Sequence, residues 1–451
     1  MLKLLAFLLL GACVVNAKPL NDLFEGTDPT QIHAVLVSGA PSNDQLWSTN
    51  YALEAEVARA YHVLRDNGVP EDNIILFYNG GFANNKEKNP FPGKLYTDTN
   101  KSRDYAEGLR VDYTGDDINE KNYVAVLSGD ANKVVGGSGR VLKSTAENRV
   151  FVYHESHGFP GYWQANQGII TRKQVNKALE RATEKKMFKD LVFYVVACLS
   201  GSMFNGSLSD DGKIYALTTA SPTEYARIKD ELDVNLNGKQ YHMAVNSEFG
   251  DAWLNNAQNQ KDNTETLEQQ FEEFIKPQLT QSNASQYGNL NIAKQPITNF
   301  EGVDKDLNTN VKRGFGQTNN ENSLPIAPIA AYIQLKRNLE KSRNFGEQNE
   351  LKKQLTKMEA ERDQINLKIS AIVRSFVDNQ NFGSAMQEMK QPPMQINEVE
   401  CHHDVVTAFW GACKHVKKSP FVEDFVIPMV NLCETGHSTQ QIIEQVKQHC
   451  F

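Results

Sequence analysis

Cysteine is almost missing from the body of this 451-residue chain: between Cys13 and Cys401 only Cys198 occurs. No C-x-x-C pair is present, which argues against a structural zinc site. Long apolar runs are missing after residue 17. No later window approaches the ~18 to 20 apolar residues of a membrane span, so none is expected. Positive charge is not in excess either, with 47 Lys and Arg against 55 Asp and Glu. A nucleic-acid partner, which needs a basic patch, is therefore not expected. Neither a metal nor any other cofactor is expected.

What is present begins with an address. "MLKLLAFLLLGACVVNA" (1–17) has Lys3, an apolar run and small residues ending at Ala17, the pattern of a signal peptide. The mature chain then enters the secretory pathway, with a lysosomal, endosomal or extracellular destination. Glycosylation sequons at Asn100, Asn205 and Asn283 fit that route. In such a compartment Cys401, Cys413, Cys433 and Cys450 read as two disulfides. If Cys401 and Cys413 share a helix, they lie ~18 Å apart along it. A bridge needs Cα atoms within ~7 Å, which removes one of three pairings. Cys198 is left as the unpaired thiol.

Strand-like apolar runs fall at 32–39, 73–80, 123–130, 149–156, 191–197 and 213–220, with helical patterns such as 51–68 and 171–187 between most of them. Continuous apolar strands alternating with helices predict an α/β sheet covered on both faces. Residues 18–290 form this unit. Residues 291–330 are polar, rich in Asn and Gly, and read as an exposed, cleavable linker. A helical segment (331–394) follows. In it Leu351, Leu355, Met358, Ile365, Ile369, Ile372 and Phe376 keep a 4-3 spacing that Arg362 interrupts. A small cysteine-bearing helical unit (395–451) closes the chain. Residues 18–330 carry 31 basic against 40 acidic side chains, and residues 331–374 carry 10 against 6. This asymmetry suits a basic segment that covers an acidic body.

Two apolar runs end in reactive side chains: "VFVYHESHG" reaches His154 and His157, and "VFYVVAC" reaches Cys198. Sites form at the carboxyl ends of strands in open α/β sheets. A neighbouring imidazole lowers a thiol's pKa and can protonate a leaving amine. Gly158 would let backbone N–H groups approach a developing oxyanion. From pattern alone, a buried structural cysteine with unrelated histidines fits equally well.

The paired blocks "HG" and "AC-x-SGS" resemble those of caspase-like cysteine peptidases. "NPFPGKLY", "DYTGDDIN", "NYVAVLSGDANKVVGGSGRVLKS", "VFYVVACLSGSM" and "QYGN" are similar, in the same order, to segments of the legumain family of asparaginyl endopeptidases. The resemblance implies a caspase-like, parallel-rich sheet flanked by helices, followed by an all-α, disulfide-bonded prodomain. It implies a zymogen that hydrolyses peptide bonds through a thioester. Cys198 is then the nucleophile, His157 its partner and Asn50 the residue that orients the histidine. The amides of Gly158 and Cys198 would form the oxyanion hole, and His154 is a bystander. The implied disulfides are Cys401–Cys433 and Cys413–Cys450. Implied partners are protein or peptide substrates, the chain's own C-terminal prodomain as intramolecular inhibitor, and cystatin-type inhibitors.

The family's charged specificity pocket is not repeated. Ala52 and Leu53 stand where its Arg-His pair follows the "NY" motif, and Val196 and Leu199 replace acids around the nucleophile. Lys239 aligns with a pocket aspartate, and Ser156 replaces the acid before the His-Gly. An apolar pocket leaves an asparagine amide unpaired, so altered or relaxed preference is expected. Two readings follow: an active endopeptidase, with peptide ligation as its variant, or a binding or decoy protein that keeps the catalytic residues.

Overall fold

The computed structural model describes residues 28–39, 47–166, 168–236, 238–259, 264–303 and 323–450. The signal peptide lies outside these residues. Strands β1 (Ile32–Ser38), β2 (Ile74–Phe77), β3 (Arg149–Glu155), β7 (Asp190–Val196) and β8 (Ile214–Thr218) are joined in a six-stranded sheet by β11 (Ser285–Gly288). The order is β11-β8-β7-β3-β1-β2. All pairs are parallel except β11 on β8. Strand periodicity sends alternate side chains to opposite faces. Thus Leu36, Tyr153 and Tyr194 join one apolar layer, whereas Val37, Val152 and Phe193 join the other.

Helices α1 (Trp47–Asp66) and α4 (Glu248–Asn259) cover the first layer. Helices α2 (Glu120–Leu127) and α3 (Arg172–Glu184) cover the second. The run at 123–130, expected as a strand, is mostly α2. Asn119 caps that helix by accepting from Asn122 N–H. A short apolar run buried on several sides lacks the periodicity that separates strand from helix. Between these elements lie a small sheet of β4 (Gly158–Phe159), β5 (Tyr162–Gln164) and β6 (Ile169–Thr171), and a hairpin of β9 (Glu231–Leu236) and β10 (Lys239–Ala244).

The C-terminal tail is helical: α5 (Ala330–Lys341), α6 (Phe345–Arg374), α7 (Phe382–Met389), α8 (Val399–Ala412), α9 (Val422–Glu434) and α10 (Thr439–His449). The 4-3 seam buries Leu355, Ile365, Ile369 and Ile372. Arg362 continues that seam by other means. Its Nε donates to Asp424 at 2.7 Å, and its guanidinium lies 5.0 Å from the Phe421 ring centroid. Both disulfides pair as the resemblance implied, with Cα separations of 5.7 Å for Cys401–Cys433 and 4.7 Å for Cys413–Cys450. A third apolar cluster continues from these helices onto Phe159, Tyr162 and Ile169, so the tail is packed against the sheet domain.

The segment 291–330 differs from its expectation at both ends. Ile297 and Phe300 are buried, as are Ser323, Leu324, Ile326 and Ala327. The polar middle, 304–322, lies outside the described residues. The misreading has a plain cause: composition reports the long polar middle, whereas apolar side chains at the two ends find partners in the sheet domain.

Candidate active site

The register of β3 on β7 sets Glu155 opposite Val196, so the residues after each strand emerge at one edge of the sheet. His157 follows β3 and Cys198 follows β7. Gly158 is required between them, because a Cβ there would lie 1.9 Å from the carbonyl oxygen of Cys198. The turn after the thiol is unusual: Leu199 has φ 50°, a left-handed conformation that non-glycine residues seldom hold. Its N–H donates to the Glu224 carbonyl, and its carbonyl accepts from Ser202 Oγ.

Asn50, on α1, brings its Oδ1 to 2.5 Å from Nε2 of His157. The other ring nitrogen, Nδ1, lies 2.9 Å from the carbonyl oxygen of Ile326. The imidazole is thus gripped on both sides and its plane is fixed. Cys198 is buried, with Sγ 3.9 Å from the Ala226 carbonyl oxygen. Burial, foremost, pushes its pKa well up, and the carboxyl of Glu423 adds to the shift. The sequence predicts a thiol activated by imidazole, whereas in this closed form burial opposes its ionisation.

The occupant of this edge is the chain itself. Ile326 N–H donates to the Ala226 carbonyl at 2.8 Å, and Ile228 N–H donates to the Leu324 carbonyl at 2.9 Å. Pro325 bridges Arg227 in antiparallel fashion, and Arg227 Nη1 donates to the Ser323 carbonyl. Residues 323–326 therefore add a short strand to 226–228, the geometry by which sheet edges take peptides. From the tail, Glu423 accepts a 2.5 Å hydrogen bond from the hydroxyl of Tyr225. Burial raises the Glu423 pKa to about 7.

Ala52, Leu53 and Val196 are fully buried and share one apolar cluster with Ile326. Lys239 opens β10, and its side chain lies outside what the structure describes. Ser156 donates to the Gln164 carbonyl. His154 faces away, with its ring centroid 4.2 Å from that of Trp163, and burial lowers its pKa to about 3. Of the sequons, Asn100 sits in an exposed turn, whereas Asn283 Nδ2 donates to Glu224 and Asn205 Nδ2 donates to the Met394 carbonyl. Ile326, Tyr225 and Glu423 escaped the sequence reading. The proline-flanked "LPIAP", whose prolines favour extended backbone, is the one signal that could have drawn attention to the first.

The model of the Peptidase C13 family matches residues 32–303, and that of the legumain prodomain matches residues 353–450. Legumain of Rattus norvegicus is 31% identical over 407 residues, covering 89% of either chain. The hemoglobinase of Schistosoma japonicum is 30% identical over 431 residues, covering 94% of each. A solved structure of caspase-1 from Spodoptera frugiperda aligns at a TM-score of 0.36 and 7% identity, over 63% of this chain and 94% of that one.

Proposed function

The chain belongs to the Peptidase C13 family and is a cysteine-type endopeptidase with a C-terminal prodomain; from that premise we propose that Cys198 and His157 carry out the hydrolysis. Asn50 accepts from Nε2–H and so leaves Nδ1 as the nitrogen that faces the cleft. Nδ1 takes the thiol proton, Sγ attacks the substrate carbonyl, and the amides of Gly158 and Cys198 hold the oxyanion. His157 then protonates the leaving amine, and water hydrolyses the thioester. The observation that carries this reading is the contact of Asn50 Oδ1 with Nε2 of His157 at 2.5 Å, which orients the ring at the strand edge where Cys198 also emerges.

The tail acts as an intramolecular inhibitor: it buries the thiol and sets the Glu423 carboxyl near it. Acidic compartments of the secretory pathway are its working place, and release of the tail its activation. Preference at the cleaved bond departs from asparagine, because Ala52, Leu53 and Val196 offer no partner to an amide. In the test, the full-length protein is treated with iodoacetamide before and after acidification. One adduct, on Cys198, should form only after acidification and should abolish hydrolysis. Full activity in Cys198→Ser would overturn the assignment.

A further inference from the structure

We propose that Ser202 and Arg172 are positioning residues for the hydrolysis: together they clamp the turn that follows Cys198 to the turn that follows His157. The proposal rests on the catalytic assignment above and adds what keeps the oxyanion site in shape. The amides of Gly158 and Cys198 come from two separate turns, one after β3 and one after β7. They can face one oxygen only while those turns keep a fixed relation, and a misplacement of about 1 Å costs about a hundredfold in rate.

Ser202 stands in a single turn of 3-10 helix (Ser200–Met203) just beyond Leu199. It is fully buried, and its hydroxyl works in both directions. Oγ accepts from the N–H of Gly161, between β4 and β5, at 2.8 Å. The hydroxyl donates to the Leu199 carbonyl at 2.6 Å, and the Ser202 N–H donates to the same oxygen at 2.9 Å. The Glu224 carbonyl holds the Leu199 N–H at 2.7 Å, so this left-handed residue is gripped at both ends. The peptide between Cys198 and Leu199 is thereby fixed, and its carbonyl is the one that leaves no room for a Cβ on Gly158.

Arg172, the first residue of α3, closes the clamp. Its backbone N–H donates to the Gly161 carbonyl at 2.8 Å, and its Nη1 donates to the Ser202 carbonyl at 3.0 Å. Its Nε is buried and has no hydrogen-bond partner among the described residues. A buried guanidinium with an unmet donor is destabilising, and an apolar side chain would serve packing better. What the arginine secures is the Ser202 carbonyl, and through it the turn. The Pro160 carbonyl belongs to the same peptide unit as the Gly161 N–H, and Nε2 of His402 in the tail donates to it at 2.8 Å. When the tail departs His402 goes with it, and Ser202 remains on that peptide.

The test uses the full-length protein after acidification, with labelled casein as substrate. Alkylation of Cys198 by iodoacetamide is timed in parallel, because that reaction forms no oxyanion and reports only on the thiol and the imidazole. Ser202→Ala should lower kcat about ten- to a hundredfold, while KM and the alkylation rate stay within about twofold of the parent. Ser202→Thr, which keeps the Oγ, should recover most of kcat. Arg172→Met should show the same split, and adding it to Ser202→Ala should lower kcat by less than the product of the two effects, because both residues hold one contact. An unchanged kcat in Ser202→Ala, or alkylation that slows in step with hydrolysis, overturns the positioning role and leaves the catalytic assignment standing. Casein hydrolysis that survives Cys198→Ala overturns that assignment and the proposal with it.

Discussion

Burial pushes the Cys198 thiol away from ionisation, and part of what surrounds it comes from chain far away in sequence. Ile326 lies 169 residues from His157, and Glu423 lies 198 residues from Tyr225. That distance explains what was legible. Cys198, His157 and Gly158 follow apolar strands and sit in motifs, so their placement could be read from spacing and resemblance. Tyr225, Ile326 and Glu423 acquire meaning only when distant segments meet, and no local pattern encodes that meeting. Two substitutions probe this scale. Asn50→Ala should lower kcat at least tenfold with little change in KM, because it frees the imidazole without touching substrate. An unchanged kcat would remove Asn50 from its orienting role. Gly158→Ala should yield no active enzyme, since its Cβ would meet the Cys198 carbonyl at 1.9 Å; an active variant would show that the two strand ends can part.

Among the elements, α6 was the most legible, because thirty residues of steady spacing leave little choice of buried face. The α2 segment was the least, since eight mostly apolar residues suit either period. Ile369 is fully buried in the α6 seam, and Ile369→Ala should destabilise the tail by about 2 to 5 kcal/mol. Arg362 is a different case. Its side chain is 43% exposed and that of Asp424 is 28% exposed, so solvent screening leaves the pair worth at most about 1 kcal/mol. Arg362→Met should therefore move the tail's thermal midpoint far less than Ile369→Ala. The reverse order, measured by thermal unfolding of the full chain, would show that the ionic link dominates the seam.

At the scale of the molecule, acid acts on the tail through groups that oppose one another. The basic excess of 331–374 suggested carboxylates of the body paired with tail cations. One observed contact has the reverse polarity, with Lys173 of the body on Glu400 of the tail. His402, buried on the Pro160 carbonyl, has its pKa lowered to about 4 from an ordinary 6.5 by burial. Its docking is fully favoured above pH ~6.5 and is lost as pH falls from there towards 4. Glu423 runs the other way. Burial raises it to about 7 from 4.5, so its charge opposes docking above pH ~7, and protonation relieves that strain in acid. Each pH unit over which docked and free states differ by one proton is worth about 1.4 kcal/mol, so these two nearly offset. Half-burial of His403 and the Lys173 cation beside Glu400 both tip the balance towards release in acid. Gln mimics the neutral form that docking favours at both positions, so His402→Gln and Glu423→Gln should each shift release to lower pH, the first by removing a penalty that grows in acid and the second by removing a charge that opposes docking towards neutrality. Following the onset of hydrolysis against pH checks this, and a shift to higher pH in either variant would remove that residue from the latch.

The contact of Asn205 with Met394 has a consequence for the order of events during synthesis. Asn205 emerges 189 residues before the carbonyl that its amide nitrogen later meets. If the sequon is used, the sugar is attached while the tail has yet to be made. The loop at 394–395 must then settle against a nitrogen that already carries a glycan, where even a Cβ on Gly206 would come within 2.4 Å of Gln395. A cell that glycosylates this site only partly would hold two zymogens, one tightly capped and one loosely capped. Of the two, the heavier band on a gel should activate first.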